Sequence, residues 1–169
     1  MLKLLTLALL ILSAFISQAQ VTKSTVQFGK NDFIVFEKTP FEEKGKKLKY
    51  LSTQKHDKYK PLIAINNETF YGTDGGLPKD VLSKATLHLN GYLYQLKVSG
   101  MYNPWIGDNF NKEFIRLIKD NSNYKIQALF SDGAGSYLAE WTIVGNAATR
   151  TVLTADEDEI VSLFYTKRK

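Results

Sequence analysis

Six aspartates and two large aromatic residues carry most of the possible chemistry in this chain: Asp74, Asp80, Asp108, Asp132, Asp156 and Asp158, with Tyr102 and Trp105. Carboxylates can hold a cation, assist hydrolysis in pairs or meet a basic surface. An exposed tyrosine or tryptophan gives a partner a large rigid contact at low entropy cost. None of the aspartates shows the regular oxygen-ligand spacing of a calcium loop, so calcium is the weakest of the uses open to them, after a protein partner or a sugar, and no metal ligand is assigned. A second set is cationic. Arg116 and Arg150 are two of only three arginines among 22 basic residues, and the planar guanidinium fork suits carboxylate or phosphate. A third set is the lysine run Lys44, Lys46, Lys47, Lys49, Lys55, Lys58 and Lys60, opposed within 44–60 by Asp57 alone and interleaved with Tyr50 and Tyr59. Basic residues among aromatics can bind an anionic polymer. Solvation, or protection of a strand edge against aggregation, is the simpler use of such a run.

Motifs of catalysis are missing. There is no cysteine nucleophile, no Gly-x-Ser-x-Gly elbow, no phosphate-binding glycine loop and no dinucleotide fingerprint. His56 and His88 have no metal-pair spacing. The sequence therefore nominates no catalytic residue and no cofactor.

The elements that must position these residues are mostly strands. Asn90-Gly91 suits the two-residue turn of a hairpin. Its flanks pair Leu89 with Tyr92, Leu87 with Tyr94 and Ala85 with Leu96, all on one face. Downstream, a three-residue Asn121–Asn123 loop would set Phe114 against Phe130 and Ile118 against Ile126. The Asp132–Gly135 loop sets Phe130, Ala128 and Ile126 opposite Tyr137, Ala139 and Trp141. A Gly145-Asn146 turn leads into Thr149–Leu153. In these registers Arg116 joins the apolar face with Phe114 and Ile118, and Arg150 faces Trp141 on that same face. Upstream, Val26–Phe36 reads as two short strands around Gly29–Asn31, and Pro61–Asn66 as another. Thr154–Glu157 has capping-box spacing before a C-terminal helix whose Ile160, Leu163 and Phe164 share a face. Pro78–Ser83 reads as a shorter helix.

The expected fold is one antiparallel β domain, a sandwich or partly closed barrel of about seven to nine strands in a meander, with a short C-terminal helix. A meander sends alternate connections to the same end. Tight turns then occupy one pole, and long loops gather Tyr102, Trp105, Asp108 and Asp132 at the other, where binding sites usually sit.

Residues 1–19 read as a cleaved secretory leader: Lys3, the apolar run Leu4–Phe15, then small Ser17 and Ala19 before Gln20. The run is too short to span a bilayer, which takes about 20 residues. Residues 20–169 form the single domain, exported and soluble in a periplasm or outside the cell. With no cysteine to cross-link it, an apolar core must hold it together. The formal charge of +5 falls by one when Lys3 leaves.

Together these features predict a non-enzymatic binding protein that engages a protein partner through Tyr102, Trp105, Asp108 and Asp132, as an inhibitor or immunity-type protein would. Two alternatives remain open: a carrier holding a small anionic ligand between Arg116 and Arg150, and a small hydrolase whose carboxylates meet at the same pole. Export argues against nucleic acid as the partner, and no stable membrane insertion is expected after cleavage.

Overall fold

The computed structural model describes residues 20–51, 60–107, 110, 112–130 and 133–166. The leader, Asp108, Asp132 and the middle of the lysine run lie outside them. Ten strands are present among the described residues: β1 (Thr22–Gln27), β2 (Phe33–Pro40), β3 (Leu48–Tyr50), β4 (Leu62–Ile65), β5 (Asp80–Leu89), β6 (Tyr92–Leu96), β7 (Ile115–Asp120), β8 (Asn123–Phe130), β9 (Tyr137–Val144) and β10 (Ala147–Thr154). One helical turn, α1 (Glu157–Ile160), follows and widens into a π turn over Val161–Tyr165.

Two four-stranded antiparallel sheets, ordered β1-β2-β5-β6 and β7-β8-β9-β10, stack on one apolar core. They stay separate and do not close into a barrel. Strand alternation explains the stacking. Ile34, Phe36, Ala85, Leu87 and Leu89 point inward from the first sheet and meet Ile126, Ala128, Phe130, Ala139 and Trp141 of the second. The β3-β4 hairpin, which separates β2 from β5 along the chain, forms a sheet of its own and packs Leu48, Leu62 and Ile65 against Phe41, Phe70 and Tyr102.

The Asn90-Gly91 hairpin has the expected register, and only Tyr92 of the six paired side chains is exposed. The β8-β9 and β9-β10 registers also follow expectation, with Phe130 opposite Tyr137 and Arg150 opposite Trp141.

Three expectations fail. The β7-β8 turn contains two residues, not three: Asn121 takes φ +56°, and Asp120 pairs with Asn123. Losing one loop residue slips the register by one, so every side chain of β7 changes face. Ile115 and Leu117 turn inward, and Arg116 turns outward, exposed, beside Gln127. Pro78–Ser83 is no helix, because β5 begins at Asp80 and its start is paired on both sides. β2 flanks it, and across the other edge the Leu82 N–H donates to the Met101 carbonyl and the Asn103 N–H to the Asp80 carbonyl. The C-terminal cap is Asp156, whose Oδ1 accepts from the Glu159 N–H at 2.9 Å. Thr154 still closes β10 opposite Leu138 and accepts the Asp156 N–H instead. Ile160 and Phe164 share the expected face and cover Leu129 and Leu138 on the outside of the second sheet.

Candidate functional site

The tight turns Asn90-Gly91, Asn121-Ser122 and Gly145-Asn146 gather at one end, where residues of all three line a single cleft. At the opposite end lie the long connections, and one side chain organises them. Asn103 Oδ1 accepts the backbone N–H groups of Lys79 and Asp80 at 2.8 and 3.0 Å, while its Nδ2 donates to the Gly72 carbonyl at 2.9 Å. The 72–76 loop, the start of β5 and the 101–107 loop are thereby tied at one point. Gly72 runs so close to the Tyr102 carbonyl that a Cβ there would overlap it. Gly135 brings the 133–136 loop against Gly72 and Thr73.

Two residues beyond Asn103 stands Trp105. Asn103 and Trp105 both lie in the left-handed region, at φ +40° and +43°, on either side of Pro104. For a bulky residue this is a strained conformation that costs on the order of 1–3 kcal/mol and persists only where surrounding contacts impose it. The contacts here are visible. Trp105 meets Phe114 edge-on with centroids 6.2 Å apart, Phe114 stacks on Phe110 at 5.9 Å, and Phe110 stacks on Phe130 of the core at 5.6 Å. Trp105 nevertheless remains 56% exposed.

Tyr102 behaves differently. It is buried to 9% exposure, between Phe41 and Phe70 in edge-on contacts of 5.6 and 5.7 Å. Burial, and then the negative charge of Glu68, raise the pKa of its phenol. Of the two aromatics expected at the pole, one is presented to solvent and the other is buried in the cluster of Phe41 and Phe70.

Two aspartates of the expected pole serve local charge balance and the backbone. Asp80 pairs with Lys38 at 2.7 Å, and Asp156 caps α1. Among the described residues no group of histidines and acids could hold a metal ion.

Arg116 and Arg150 do not converge. They occupy opposite faces of the second sheet, Arg150 in the row of Ile126 and Trp141, Arg116 in the row of Gln127 and Glu140. The Arg116 guanidinium lies 4.4 Å from the centroid of the Phe164 ring. Arg150 Nη1 donates to the Ser99 carbonyl at 2.6 Å. Burial lowers the Arg150 pKa, opposed by the Tyr71, Glu68 and Tyr137 groups. A single ligand cannot lie between two side chains that a sheet separates, so the paired-arginine carrier loses its geometric basis.

Sequence reasoning missed Asn103, although asparagine directly before proline signals a turn. It also missed an outer-face network. Gln127 and Glu140 are buried, at 0% and 4% exposure. Glu140 accepts from Gln127 Nε2 at 2.7 Å and Thr151 Oγ1 at 3.0 Å, and pairs with Lys125 at 3.5 Å. Strand alternation places both residues on the face opposite the main core, and periodicity alone does not reveal that this face is covered.

Comparison with known proteins finds no matching family model and no significantly similar curated protein or solved structure. Among the described residues no helix is long and apolar enough to cross a membrane.

Proposed function

We propose that this chain is an exported, non-enzymatic binding module that grips a protein partner with the loop pole around Trp105. One observation carries the reading: an indole 56% exposed, on a left-handed backbone, anchored from behind by an aromatic stack that reaches the core. Strain of this kind clusters at ligand clamps. A preordered tryptophan also gives up little entropy on binding, which is why such residues dominate interface energetics. Export rests on the leader pattern of residues 1–19.

The test is native mass spectrometry of the tagged protein, recovered gently from the exported fraction of its own host. A mature N-terminus at Gln20 and a stoichiometric protein partner are expected. Trp105→Ala should lose that partner, for a loss of about 2 kcal/mol or more, while keeping its urea midpoint. A bare chain, or a partner retained by the variant, would overturn the reading.

A further inference from the structure

A cleft of about 310 Å³ opens beside this pole, between the β2-β3 connection and the start of β5. Buried Tyr102 and half-buried Phe41 and Val81 form its apolar floor, and exposed Lys44, Lys46 and Glu42 form its rim. The two lysines are held on one tight turn: the Lys46 N–H donates to the Glu43 carbonyl at 2.9 Å, and Gly45 between them takes φ +81°. The floor is fixed too, because the Phe41 N–H donates to the Lys79 carbonyl at 2.8 Å. Neighbouring Lys38 is neutralised by Asp80, whereas Lys44 and Lys46 enter none of the ion pairs among the described residues.

From this geometry we infer that the cleft receives an acidic, partly apolar peptide segment of the partner. The inference rests on the protein-binding reading above and gives the partner's face its charge. Two features select a peptide over a polyanionic glycan. Glu42 on the same rim repels a continuous run of negative charge. The floor offers aromatic and aliphatic surface, which an apolar side chain between two acidic ones would fill.

Proximity joins the cleft to the pole. Tyr102 lines it, and Trp105 is three residues on, a reach of at most about 11 Å. An interface of ordinary size, about 800 Å² per partner, is wider than that reach, so one partner covering Trp105 can extend to the cleft.

The probe is a synthetic peptide of four Glu-Glu-Leu repeats, titrated into isotope-labelled exported protein and followed by NMR. Amide shifts are expected at Phe41, Lys44, Lys46 and Val81, with binding that weakens as salt rises. Combined Lys44→Glu and Lys46→Glu should weaken it by about tenfold or more. Both lysines are exposed, so the variant keeps its fold. Shifts elsewhere, equal binding by the charge-reversed variant, or tighter binding of heparin than of the peptide would overturn the inference. Trp105→Ala should leave this titration unchanged. A failed titration alongside Trp105-dependent partner capture sinks the cleft alone. A successful titration alongside Trp105-independent capture sinks the pole reading alone.

Discussion

Asn103 shows how much of a loop pole one polar side chain can hold. It satisfies two backbone donors and one backbone acceptor on separate segments. Asn103→Ala should cost about 2–3 kcal/mol in urea unfolding, because groups left without partners cost more than the net value of the bonds they lose. An unchanged midpoint would show that water replaces the amide. Tyr102 makes a pH prediction. Its folded pKa is raised, so the stability it contributes is complete below the unfolded value near 10 and falls as pH climbs through the higher folded value. Tyr102→Phe should therefore hold its stability better than the parent between about pH 9 and 11. Parallel losses in the two proteins would contradict the burial of that phenol. Sequence nominated Tyr102 and Trp105 as equals. What separates them is the path of the 101–107 loop, which bridges Tyr102 to Val81 and leaves Trp105 at the surface.

Among the elements, turn length decided which expectations held. Asn90-Gly91 and Gly145-Asn146 declare themselves by residues that accept positive φ, and their registers were legible. Asn121-Ser122-Asn123 offers two loop lengths of similar plausibility, and the choice between them reverses the faces of β7. Arg116 went outward for that reason alone. Glycines at two turns allow a paired test. Gly91 and Gly72 both have positive φ, but a Cβ on Gly91 meets open space, while one on Gly72 collides with the Tyr102 backbone. Gly91→Ala should cost about 1 kcal/mol, the strain of the left-handed conformation. Gly72→Ala should cost more than about 3 kcal/mol and disorder the pole. Equal costs, measured by urea denaturation, would show that the loops at Gly72 and Tyr102 do not touch.

At the scale of the whole molecule, both sheets and the pole share a continuous aromatic interior running from Phe36 through Phe110 and Phe130 to Tyr137. One core implies one cooperative unfolding transition. The two tryptophans report on its interior and on its surface. Trp141 is fully buried, with its indole N–H donated to the Lys97 carbonyl at 2.9 Å, and Trp105 is exposed. Emission from Trp141 in a Trp105→Phe variant should resist acrylamide and should change with urea at the same midpoint as far-ultraviolet circular dichroism. Two separated transitions would mean that the sheets fold independently.

The sequence by itself determined the β class, the hairpin at Asn90-Gly91, the inward rows of β8 and β9, and the gathering of tight turns at one end. These follow from local rules: side chains alternate along a strand, and a few residue types tolerate positive φ. Tertiary structure alone decided that two sheets stack without closing, that Asn103 ties three segments together, and that Arg116 and Arg150 stand on opposite faces. It also set the Lys44 and Lys46 turn over an apolar floor. Each of these depends on segments far apart in the chain meeting in space, and no local pattern encodes where a loop lands once the core has packed.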